Sequence, residues 1–184
     1  MLRIIDLTPG NEVAIQQTAQ LLFDAFQEHW PQAWPTPADA LEEVHESFSA
    51  ERVSRIAIDD GGNVRGWIGG SPQYDGRVWE LHPLAVQDAV RGQGVGRALV
   101  NDLEGIVKAR GGLTLWLGTD DEDQQTSLAG VNLYPNVWEY IATIKNLRGH
   151  PYEFYQKLGF VIIGVLPDAN GLGKPDIFMA KRIT

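Results

Sequence analysis

Glu80 and His82 stand two residues apart in WELHPLAV, residues 79–86. Side chains two apart on a strand share a face, so a carboxylate and an imidazole lie side by side there, able to accept a proton directly or through a water. Each also has a plainer role: Glu80 as an anionic anchor for an ammonium group, and His82, next to Pro83, as a hydrogen-bonded sheet histidine. Directly after this strand comes VRGQGVGRALV, residues 90–100, in which Gly92, Gly94 and Gly96 alternate with Gln93 and Val95 between Arg91 and Arg97. Glycine lets the backbone approach an anion closely, and the N–H groups and macrodipole of a following helix favour negative charge. Arg91 or Arg97 can add a charge-assisted contact, while a tight turn packing a helix on a sheet is the alternative. The run does not fit either of two common nucleotide patterns: there is no Gly-Lys-Ser/Thr in the chain, and the glycines are spaced G-x-G-x-G instead of G-x-G-x-x-G. A third group, Asp120, Asp121, Glu122 and Asp123, is either a solvated loop or a site whose field draws in a cationic small molecule. The chain has no cysteine, which excludes a thiolate nucleophile and a disulfide framework.

The elements that must position these residues follow from periodicity. Apolar residues recur at helical spacing from Val13 to Phe26, and three prolines in HWPQAWPTP break that helix. Thr36 before Pro37 and Asp39 predicts a capped helix to about Phe48. Strands are expected at 55–59, 64–72 and 78–86, with turns at Gly61-Gly62-Asn63 and Tyr74-Asp75-Gly76. The glycine run opens a helix to about Arg110, stopped by Gly111-Gly112, and LTLWLGT (113–119) reads as a strand. A helix is expected around Val137–Leu147 and a short one over YEFYQKLG. The last strands are FVIIGVLP (160–167) and IFMAKRI, joined by the turn-rich DANGLGKPD. A right-handed crossover makes strands 78–86 and 113–119 parallel neighbours. The class is therefore α+β, in three layers: a mixed central sheet with helices on both faces, splayed at those two strands because Pro83 interrupts the ladder there.

Length and composition agree with one soluble domain over residues 1–184. The net charge of −9 excludes nucleic acid as the expected partner, which calls for a basic face. No apolar run approaches the roughly 20 residues that span a bilayer, and MLRIIDLTPGNEV has no signal-peptide core. A cytoplasmic location, with no membrane partner and no metal, is expected.

The arrangement Arg91-x-x-Gly94-x-Gly96 between strand and helix resembles the pyrophosphate loop of the GNAT N-acetyltransferases. Leu84-Ala85-Val86 before the loop, and Phe154-Tyr155-Gln156-Lys157-Leu158-Gly159-Phe160 after the next strand, strengthen the likeness, as does the order of elements. RGGLTLWLGTDDED, LYPNVWE and NLRGHPYEFYQKLGF are similar to aminoglycoside 6′-N-acetyltransferases within that superfamily. One departure is His150-Pro151, where many members carry an asparagine.

The resemblance implies an enzyme that transfers acetyl from acetyl-CoA to the 6′-amine of an aminoglycoside by direct attack, conferring antibiotic resistance. It implies that Leu84, Ala85 and Val86 meet the pantetheine arm, that the backbone from Arg91 through Arg97 holds the pyrophosphate, and that the N–H of Ala85 or Val86 faces the thioester carbonyl. Tyr155 becomes the proton donor to the leaving thiolate, with Tyr152 its competitor, and Glu80 or His82 the base. The cationic acceptor is met by Glu80, Asp120, Asp123 and Glu139, with Tyr74 and Trp30 among its contacts. Either Trp30 or Trp34 packs under its loop instead. A homodimer is expected. Two rivals remain: acetylation of a polyamine or protein amine, and a non-catalytic CoA-binding module.

Overall fold

The computed structural model describes residues 2–183. The chain divides into two compact units, one running to Leu113 and taking in Ile183, the other Thr114–Arg182.

The first unit is an antiparallel meander with three helices. Strand β1 (Arg3–Asp6) is short and not among the strands expected from the pattern. Helices α1 (Glu12–Phe26) and α2 (Pro37–Glu46) follow, then β2 (Val53–Ile58), β3 (Val64–Gln73) and β4 (Val78–Val86), then α3 (Val95–Ala109). The order β1-β2-β3-β4 is antiparallel throughout. Asn11 caps α1 by accepting from Ala14 N–H. Thr36 and Asp39 form the expected capping box, each side chain accepting the other's backbone N–H. Helix α2 ends two residues earlier than expected, where the Ser47 hydroxyl donates to Val44 C=O beside the Ser54 hydroxyl.

Two glycine contacts set the packing around β4. Leu99 and Leu103 of α3 sit over Gly66 and Gly70 of β3, where a Cβ would lie 2.8 and 2.7 Å from their methyl carbons. On the other face Trp67 and Ala85 join Ile15, Leu22, Trp34 and Val44 in a core with α1 and α2. Between Ile68 and Gly70 the β3–β4 register shifts, so His82 and Pro83 together oppose Gly69. A side chain there would meet the His82 carbonyl at 2.3 Å, which only glycine avoids.

The second unit holds β5 (Thr114–Asp120), α4 (Val137–Ala142), α5 (Tyr152–Gln156), β6 (Val161–Leu166) and β7 (Asp176–Arg182), in the antiparallel order β5-β7-β6. Helix α4 stops at Ala142, five residues short of the expected Leu147. The chain turns at the β-branched Thr143 and Ile144, Asn146 bridges to Thr126, and Leu147 N–H donates to Gln125 C=O. Those sheet-like bonds replace the next helical turn. Among the described residues, no helix is long and apolar enough to cross a membrane.

Candidate active site

In the first unit the site begins on β4. Leu81 opposes Gly70 and shares its α3 face, so Glu80 and His82 turn to the α1–α2 face. The expected pairing of these two side chains is therefore present. Glu80 accepts a hydrogen bond from Gln73 Nε2 at 2.9 Å. His82 is exposed on one side and stacks at 5.8 Å on Trp34, which is buried and packs edge-on against Phe26 at 4.7 Å. Of the two tryptophans, Trp34 is the one under its loop. Trp30, half-buried, also meets Phe26, at 5.5 Å. Tyr74 is exposed at the β3–β4 turn.

The bulge at Pro83 changes which amides can leave the sheet. Gln87 N–H donates to Arg65 C=O, and hydrogen-bonded pairs recur at every second residue. With Ala85 opposite Trp67, the Ala85 amide turns towards β3, whereas those of Leu84 and Val86 turn away from it. Of the two oxyanion donors expected from the sequence, the register disfavours Ala85 and leaves Val86.

The glycine run folds as an anion cradle. Gly92 and Gly94 have φ of 76° and 89°, and Gly94 is the N-cap of α3. The helical ladder starts with Ala98 N–H on Gly94 C=O, so the amides of Val95, Gly96 and Arg97 precede it and project from the helix end. Gly96 itself lies inside the first turn of α3. Gln93 donates its side-chain amide to Ala89 C=O. Arg91 serves the loop itself: it donates to Val86 C=O at 3.3 Å and Ala25 C=O at 3.5 Å, and pairs with Asp88 at 3.0 Å. Arg97 is exposed at the mouth. Unhindered amides, left-handed glycine and a helix N-terminus fit a pyrophosphate.

In the second unit the acidic run separates into different environments. Asp121 is fully buried and accepts from Gln125 N–H at 2.7 Å and Thr126 N–H at 2.8 Å. It organises the loop, and the solvated-loop reading fails for it. Asp120 accepts from the Asn170 side chain, Asp123 meets Arg148 at 3.4 Å, and Glu122 meets Lys174 at 3.6 Å. The Asp123–Arg148 pair is about half exposed on both sides and contributes little, whereas Glu122 is more enclosed at 21%. Glu139 is exposed on α4.

The two candidate tyrosines of α5 are both buried but differ in their hydroxyls. That of Tyr152 is engaged by the backbone of Asn146. The Tyr155 hydroxyl makes no hydrogen bond among the described residues, and burial holds its ionisation far above the ordinary phenol range. Its ring packs between Phe154 at 5.0 Å and Phe160 at 5.7 Å. Sequence reasoning overlooked Gln73 as the partner of Glu80, although the hairpin register through Tyr74-Asp75-Gly76 contains that signal. It marked His150 only as a departure from the family pattern and gave no role to its ring, which bonds both Asp120 C=O and Tyr152 N–H. No group of His, Asp and Glu able to hold a metal occurs among the described residues.

Within the first unit, a strand bearing Glu80 and His82 is followed directly by the amide cradle at the N-terminus of α3. The model of the Acetyltransferase (GNAT) family matches residues 16–134, more than half of the chain, and the chain belongs to that family. Among solved structures, an aminoglycoside 6′-N-acetyltransferase complexed with coenzyme A is 44% identical, with 99% of this chain and 97% of that chain covered and a TM-score of 0.90. An aminoglycoside 6′-N-acetyltransferase from Enterococcus faecium is likewise 44% identical over the same shares, with a TM-score of 0.88. An aminoglycoside 6′-acetyltransferase type Ii is 39% identical over the same shares, with a TM-score of 0.75. No curated protein matches the chain.

Proposed function

We propose that this acetyltransferase uses acetyl-CoA to acetylate the 6′-amine of aminoglycosides and so confers resistance to them. The observation that carries this reading is the identity with aminoglycoside 6′-N-acetyltransferases, which extends along nearly the whole chain. When bound, acetyl-CoA supplies the acetyl group as an activated thioester. The amides of Val95, Gly96 and Arg97 hold its pyrophosphate, and those of Leu84 and Val86 orient the thioester arm.

Glu80 anchors the acceptor ammonium, and it or His82 takes the proton that makes the amine nucleophilic. As the C–N bond forms and the C–S bond breaks, the N–H of Val86 stabilises charge on the carbonyl oxygen. Tyr155 gives the thiolate its proton. With no cysteine in the chain, direct attack by the amine is the economical route. Asp120, Asp123 and Glu139 meet the remaining ammonium groups, and Trp30 and Tyr74 meet the sugar rings. The enzyme works as a single acetyltransferase domain over residues 1–184, as a cytoplasmic homodimer.

The test is turnover. Purified protein with acetyl-CoA should release free thiol with kanamycin and other aminoglycosides bearing a 6′-amine. Release with polyamines or a basic peptide but with no aminoglycoside overturns the antibiotic reading and leaves the family intact.

A further inference from the structure

His150 is 1% exposed and makes a hydrogen bond at each ring nitrogen. Nδ1 accepts from Tyr152 N–H at 3.2 Å, so it carries a lone pair and no proton. The proton is then on Nε2, which donates to the Asp120 carbonyl at 3.1 Å. One neutral ring thus joins the C-terminal end of β5, where Asp120 sits, to the start of the helix that carries Tyr155.

The backbone of His150 is itself held, and its ring is packed. His150 N–H donates to Asn146 Oδ1 at 2.8 Å, and its carbonyl accepts from Asn146 Nδ2 at 2.9 Å. Asn146 bridges to Thr126, whose N–H donates to the buried Asp121. The Tyr152 ring leans on the imidazole at 5.8 Å. A buried polar network satisfied at each of these groups fixes one arrangement of the backbone around it.

We propose that His150 is a positioning residue, a strap whose Nε2-protonated imidazole sets α5, and with it the Tyr155 hydroxyl, against the backbone at Asp120. The proposal rests on the reading of Tyr155 as proton donor. Asparagine at 150 can still accept from the N–H two residues on, as in an Asx turn, but is too short to reach Asp120 as well. His150→Asn therefore cuts the strap and keeps the local turn.

The tautomer is read in the unaltered protein by nitrogen-15 NMR of the histidine rings, which needs no variant to fold. A protonated Nε2 with a bare Nδ1 at His150 is expected, and a protonated Nδ1 overturns the proposal. In kinetics, His150→Asn should lower kcat about tenfold or more, as small misplacements of a reacting group do, with the KM for acetyl-CoA unchanged. In a Tyr155→Phe background the same substitution should have no further effect on kcat, because the group it positions is already gone. An equal fall in both backgrounds overturns the strap and leaves the Tyr155 reading standing. If Tyr155→Phe alone leaves kcat unchanged, the Tyr155 reading falls and this proposal with it.

Discussion

The imidazole of His82 rests against the indole of Trp34, with ring centroids 5.8 Å apart and planes 35° apart. Trp34 is 7% exposed and belongs to the core that α1 and α2 share with β3 and β4. The core thus extends up to the His82 imidazole and presents it with a rigid backing.

Trp34→Leu should cost roughly 3 kcal/mol of stability through the cavity it leaves. It should also lower kcat, because His82 loses the surface that holds its ring. Trp34→Phe, which keeps an aromatic face, should recover most of kcat. Thermal denaturation and turnover measured on the same samples check both, and full activity in Trp34→Leu would show that His82 needs no backing.

Tyr155→Phe should lower kcat on the order of 10²-fold, the usual contribution of a positioned general acid, with the KM for acetyl-CoA unchanged. Burial raises the Tyr155 ionisation far above its ordinary range, so the phenol stays protonated across the working pH range. An alkaline limb in the rate profile should therefore persist in Tyr155→Phe. The same shift has a sign for stability. The folded-state value lies above the unfolded one of about 10, so the contribution is fully present below that pH and is lost as pH rises towards the folded value. Alkaline unfolding should start at higher pH in Tyr155→Phe than in the parent.

The acidic run should divide by substitution. Asp121→Ala leaves two buried N–H groups without an acceptor, a loss of roughly 3 kcal/mol and a melting temperature lower by about 6–12 °C at this chain length. Asp123→Asn, at the surface beside Arg148, should leave stability alone. It should raise the aminoglycoside KM and weaken its salt dependence. Calorimetry and acceptor kinetics at two ionic strengths separate the two residues.

Arg91→Ala should raise the KM for acetyl-CoA about fivefold, equivalent to one hydrogen bond of about 1 kcal/mol. The guanidinium ties Val86 C=O, Ala25 C=O and Asp88 together at the entrance to the cradle, so the effect is on loop placement. Asp88→Asn should give part of the same rise, and an unaltered KM in both would remove Arg91 from the cradle's support.

Local chemistry was legible from the residues alone. The Thr36–Asp39 cap, the two hairpin turns, the glycine N-terminus of α3 and the shared face of Glu80 and His82 all depend on neighbours within a few positions. Short-range geometry and period decide such features, and the chain carries both. The expected helix over 137–147 failed where a distant partner intervened, since Asn146 pairs with Thr126.

The sequence by itself determined most of the elements, the glycine-led N-terminus of α3 and the residue types able to take part in acetyl transfer, while β1 and the end of α4 lay outside it. Only the tertiary structure decided where the members of each look-alike set lie: Asp121 inside and Asp123 outside, Trp34 behind His82 and Trp30 half-buried against Phe26, the Tyr152 hydroxyl bonded and that of Tyr155 without a partner among the described residues. Those choices turn on burial and on hydrogen bonds between residues far apart in the chain. An aspartate, tryptophan or tyrosine has the same local signature whether packing encloses it or leaves it at the surface.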